Sequence, residues 1–290
     1  MSVGGKPWLQ THWDWHVALN FVTGGSGSGL LLAAAVAGLA GLPLKLPALL
    51  GLLLVGGGLA QVSLHLGRPL RALNVLRQPG RSWMTREAWV AGPLLGLALL
   101  TALLDSALLG VPTAVCAAAF LYCQAQMLHE AKGIPAWREP RLVPLVLATG
   151  LAEGVALYLL VLLFSGSPAA QLTTGSALLL LLGARLYAWY GYRRALAGNA
   201  PQAALAVLAR AEGPFAGAGH LVPLLLLAVA AAVPSAREAL AALAALAALL
   251  SGWGLKFAIV TRAGHNQGFA ILHTPARGAG TGGIGSKPGW

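Results

Sequence analysis

His65 and Glu87 stand at the two ends of one short loop, the first closing an apolar run and the second opening the next, in QVSLHLGRPLRALNVLRQPGRSWMTREAW (residues 61–89). Ionisable side chains at the edge of a membrane are costly and mark function. A histidine and a partly buried carboxylate can exchange protons near neutral pH, so the pair could take the protons that leave a quinol with its two electrons, or return them on reduction. Arginines in the same stretch, Arg68, Arg71 and Arg86, would stabilise negative charge developing on a quinone oxygen. Gln61 lies one helical turn before His65 on the same face. A proton-coupled transporter would use the same groups, and the residues alone leave both readings open.

The elements that must position these groups follow from composition. Of 290 residues, 57% are hydrophobic and 9% charged, against about 25% charged in a soluble domain, so the chain belongs in a bilayer. The net charge of +11 could suggest nucleic acid. The Lys and Arg fall between apolar runs, however, so a basic membrane face is the simpler source and no nucleic-acid partner is expected. Eight runs reach the roughly 20 residues that a hydrocarbon core demands. They lie near 17–40, 46–66, 88–109, 111–128, 142–164, 172–191, 215–233 and 238–260. The expected fold is all-α, a polytopic bundle of eight transmembrane helices forming one domain over 1–277, with a flexible Gly-rich tail over 278–290.

Charge sets the orientation. With eight spans, both termini share a side with the loops after spans 2, 4 and 6. That side holds 17 of the 19 Lys and Arg, with Lys45 and Arg237 opposite. The positive-inside rule then places both termini in the cytoplasm and the chain in the inner membrane. His220, opening span 7, and Lys256, near the end of span 8, fall at the membrane level of His65 and Glu87, as do Gln126 and His129. His220 and Lys256 are therefore added to the expected quinone site, although Lys256 could instead snorkel to the headgroups. Arg77 and Arg81 are expected to meet a docking partner. Glu153, in the middle of span 5, reads equally as a proton relay or a hydrogen-bonded packing group.

The remaining signals are structural. TGGSGSG in the first span (residues 23–29) reads as close helix packing, since no GK[ST] follows to make a phosphate loop. Trp13 and Trp15 read as interfacial anchors. Cys116 and Cys123, seven residues apart in one apolar run, pack as small apolar residues. The seven histidines all fall at helix ends or outside spans, so a bis-histidine haem at mid-membrane has no ligands, and no metal is expected in this chain.

Three blocks carry a family resemblance. HLGRPLRALNVLRQPGRSWMTRE (residues 65–87) resembles the second-to-third-helix signature of the DmsC/NrfD-type membrane anchors of molybdopterin oxidoreductases. NFVTGGSGSG (20–29) is similar to the first-helix segment of that family, and LKFAIVTRAGHNQGFAI (255–271) to its C-terminal one. PWLQTHWDWHVALNF (7–21) is similar to membrane subunits of phenylacetyl-CoA:acceptor oxidoreductases. The resemblance implies an anchor that holds a ferredoxin-like four-cluster iron–sulfur subunit and a molybdenum or tungsten catalytic subunit at the bilayer. It implies electron exchange with menaquinone or ubiquinone, with iron–sulfur clusters and molybdopterin in the partners only. It also implicates His65 and Glu87 in quinol binding. A secondary transporter and an anchor without a quinone site are the alternatives.

Overall fold

A run of 20 apolar residues has no water to satisfy its backbone, so each run must close its hydrogen bonds within itself as a helix. The computed structural model describes residues 3–65, 74, 76–164 and 167–271, with side chains described for 5–64, 74, 76–164 and 167–268. Eight helices among the described residues are long and apolar enough to cross a membrane. They comprise α1 (Trp15–Leu39), α2 (Lys45–His65), α3 (Trp83–Leu104), α4 (Ala107–His129), α6 (Leu142–Leu162), α7 (Pro168–Leu196), α8 with α9 (Gln202–Ala216 and Val222–Ala232) and α10 (Arg237–Phe257). A single turn, α5 (Pro135–Arg138), precedes α6. The architecture is the expected helical bundle, with one addition. Strand β1 (Val3–Gly5) pairs antiparallel with β2 (Phe269–Ile271), Gly4 opposite Ala270, so the two described ends of the chain meet at one end of the bundle.

Several boundaries differ from expectation, each for a local reason. The third helix starts five residues early because the Ser82 side chain caps it, accepting from the Thr85 N–H at 3.4 Å. It stops at Asp105, whose left-handed backbone (φ 48°) ends the helix. Glu87 is therefore inside the first turns of α3, not at its lip. Ser167 caps α7 in the same way, with Pro168 at the first helical position. The seventh span opens at Gln202, well before the expected 215, since Pro214 does not break it. The helix instead widens into a π turn at Gly217–Leu221 that joins α8 to α9. A second π turn, Ala258–Arg262, extends α10.

α1 packs on α2, α4, α6 and α10. The closest crossing is with α6, where small residues meet at four-residue spacing. A Cβ on Gly29 would strike the Gly150 carbonyl, and one on Gly154 would strike the Gly29 backbone. That is the close packing expected of the glycine run. At the end where the termini pair, a cluster including Trp137, Trp189, Tyr192 and Phe215 fills the space between helix ends.

Candidate functional site

Glu87, 5% exposed, points into a cavity of about 330 Å³ walled by α1, α2, α3, α4 and the segment before α1. Phe21, Leu59, Val62, Met84 and Met127 make most of the wall apolar, and His12, Asn20 and Ser63 add polar edges. The carboxamides of Asn20 and Gln124 face the Glu87 carboxyl, and Gln124 Nε2 donates to the Asn20 carbonyl at 3.1 Å. Three buried acceptor oxygens remain without a donor: Glu87 Oε1, Asn20 Oδ1 and Gln124 Oε1. Buried polar atoms in a native fold are nearly always paired. An apolar cavity with unpaired acceptors on one wall suits a flat apolar molecule that brings its own hydroxyl donors.

The segment before α1 is held in place as a wall. Trp13 packs on Phe21 and Trp137, with ring centroids at 5.8 and 5.0 Å. The π turn at Ala258–Arg262 leaves carbonyls free, and this segment and Trp137 of α5 each use one. Gln10 Nε2 donates to Val260 O at 3.2 Å, and Trp137 Nε1 to Ile259 O at 2.8 Å. Asp14 caps α1, and its hydrogen bond from His16 at 2.9 Å holds its carboxyl below the ordinary carboxylate range.

Of the residues expected at the site, only Glu87 lines this cavity among the described side chains. His65 closes α2, but its side chain lies outside the described residues, as do Arg68 and Arg71. Gln61 is half-buried on α2 and does not line the cavity, whereas its neighbours Val62 and Ser63 do. Arg86 turns away, donating to Pro79 O at 2.9 Å and Gly80 O at 3.1 Å and covering the Trp83 ring at 4.2 Å. Arg77 and Arg81 are exposed, open to a partner.

Lys256 and His220 belong to a second constellation. Lys256 is 4% exposed and does not snorkel. Its Nζ donates to Glu153 Oε2 at 2.5 Å, and Ser26 Oγ donates to the same oxygen at 2.7 Å. Trp253 Nε1 in turn donates to Ser26 Oγ at 2.9 Å. Beside Glu153 lies Arg185, fully buried within α7. Its guanidinium donates to Ala248 O, Gly219 O and Ser251 Oγ at 3.0, 2.8 and 3.1 Å, and its Nε to His220 Nε2 at 3.1 Å. His220 Nδ1 lies 2.7 Å from Phe215 O, so Nδ1 carries the proton and Nε2 accepts. The π turn at Gly217–Leu221 presents the Gly219 carbonyl to Arg185. Arg185 is the residue that the sequence reading missed, and its position inside an expected span was the available signal.

The two constellations touch through α1. A Cβ on Gly25 would strike Lys256 Nζ and lie 3.6 Å from Gln124 Oε1, and one on Gly24 would strike Gln124 Nε2. The glycine run therefore admits both polar groups into the bundle as well as packing α1 on α6. Polar side chains succeed one another from Glu87 through Gln124 and Lys256 to Glu153.

The sequence profile of the DMSO reductase anchor subunit (DmsC) family matches residues 11–233, which include Glu87, Gln124, Glu153, Arg185 and His220. No curated protein matches the chain. With eight membrane-capable helices and a match over most of its length, this multi-pass membrane protein belongs to the DMSO reductase anchor subunit (DmsC) family.

Proposed function

We propose that this subunit exchanges electrons and protons between a membrane quinone, menaquinone or ubiquinone, and an iron–sulfur subunit docked on its basic face. The observation that carries the reading is the Glu87 carboxyl, with Oε1 unpartnered, in an apolar cavity of about 330 Å³. When bound, a quinone supplies two-electron, two-proton chemistry. Glu87 accepts a hydroxyl hydrogen bond and receives its proton, while Asn20 and His12 orient the ring from the adjacent wall. The apolar side chains around it keep water from the exchange.

From Glu87 the chain's own polar groups continue inward past Gln124 to Lys256 and Glu153, and Glu153 is the proton relay of this reading. His65, together with Arg68 and Arg71, belongs to the same loop and completes the site. Arg77 and Arg81 meet the partner, a ferredoxin-like four-cluster subunit that passes electrons to a molybdopterin catalytic subunit. The basic face is cytoplasmic, and the membrane is the inner one.

Titration of a fluorescent quinol-site inhibitor against the assembled complex tests the site. Wild type is expected to bind one inhibitor per anchor. Glu87→Gln should weaken binding about tenfold, the scale of one charge-assisted hydrogen bond, and Ser63→Trp should abolish it by filling the cavity. Unchanged titrations for both variants would put the inhibitor site away from this cavity and defeat the assignment.

A further inference from the structure

On the outer face of the bundle, two apolar grooves run side by side, separated by one ridge of α10. The larger, about 540 Å³, lies between α8 and α10, with Val207 and Phe215 on one side and Leu250 on the other. The smaller, about 410 Å³, lies between α1 and α10 and is lined by Leu19, Val22 and Phe257. Gly254, Ala258 and Arg262 line both grooves. The ridge is therefore low along its length and ends in a guanidinium that overhangs both channels.

Among the described residues, two guanidinium groups at this end lack a carboxylate, although Arg262 lies over the Phe257 ring at 5.8 Å. Arg262 and Arg210, which lines the larger groove, are both exposed, and neither has a carboxylate partner among the described residues. The nearest acid in sequence, Glu212, is taken by Arg193 at 3.3 Å. Trp15, 51% exposed on the rim of the smaller groove, marks the level where indole rings meet headgroups. Two cations without a carboxylate, at headgroup level above paired apolar grooves, match the shape and charge of one molecule class.

We infer that this face binds a single anionic diacyl phospholipid, its phosphate on Arg262 and Arg210 and one acyl chain in each groove astride the Gly254–Ala258 ridge. Two grooves diverging from one cation select two chains over one. Two guanidinium groups without a carboxylate select a net negative headgroup over a zwitterionic one.

The test is native mass spectrometry of the full-length protein in its complex, released from vesicles of equal phosphatidylglycerol and phosphatidylcholine. Wild type should retain one phosphatidylglycerol, and single-chain lysophosphatidylglycerol should be retained more weakly. Arg262→Gln should cut the preference for phosphatidylglycerol about fivefold, and the double variant with Arg210→Gln about twenty-fivefold, following the usual worth of a basic side chain at an anionic surface. A Cβ on Gly254 meets no atom within 4 Å, so Gly254→Leu is expected to fold, raise the ridge and release the lipid with both arginines in place. Equal retention of the two lipids, or a phosphatidylglycerol preference untouched by Arg262→Gln and Gly254→Leu, would overturn the site. So would loss of a protein contact in place of lipid in the Gly254→Leu complex.

Discussion

Glu153, with no exposure at all, survives in the bundle because Lys256 and Ser26 both donate to one of its oxygens. Two charges withdrawn from water are tolerable only while each has the other, and removing one leaves a bare ion. Lys256→Met or Glu153→Gln alone is therefore expected to destabilise the purified protein by about 3 kcal/mol, and the double variant by much less, on the usual scale for broken buried pairs. Unfolding of the four proteins in detergent measures this. Additive losses would show that the pair is not coupled. The sequence made Glu153 conspicuous as an acid in mid-span, but it did not reveal its partner. Lys256 sits near a span end, where a basic residue has an ordinary reason to be, Arg185 lies within a span, and only the crossing of α1, α6, α7 and α10 brings them to Glu153. Glu87 was legible for a different reason. Its cavity is built beside its own loop, from the neighbouring ends of consecutive helices.

Helices in this protein were readable from apolar length, and their ends were readable only where a cap was recognised. Ser82 and Ser167 act through one hydrogen bond each, and overlooking them shifted α3 and α7 by four or five residues. The π turns at Gly217–Leu221 and Ala258–Arg262 have no periodic signature, because they exist to present carbonyls to Arg185, Gln10 and Trp137. The glycine run was correctly legible as packing, since a Cβ on Gly29 would strike the Gly150 carbonyl. Gly29→Val should accordingly separate α1 from α6 and abolish recovery of monodisperse protein. Gly183→Ala, at a position where a Cβ meets nothing within 4 Å, should leave yield and melting temperature unchanged or slightly raised. Size-exclusion profiles and melting curves of the two variants check this contrast. Equal behaviour would mean that the crossing tolerates a wider separation.

Across the whole molecule, the charge asymmetry and the paired ends make a joint statement about topology. Arg185 and Lys256 lie inside the bundle and leave the loop count, yet the basic side keeps its excess. Reporter fusions at either terminus are expected to be fluorescent with a cytoplasmic reporter and inactive with a periplasmic phosphatase; an active phosphatase at either end would reverse the docking face. With that face in the cytoplasm, the Glu87 cavity opens near the end of the bundle where a partner would meet Arg77 and Arg81. The central claim is that electrons enter or leave the membrane at this cavity, and steady-state turnover of the assembled complex tests it most directly. Glu87→Gln is expected to lose quinol-coupled turnover while keeping full turnover with a soluble artificial electron donor that feeds the partner subunits. Quinol turnover with unchanged kcat and KM in Glu87→Gln would contradict the account.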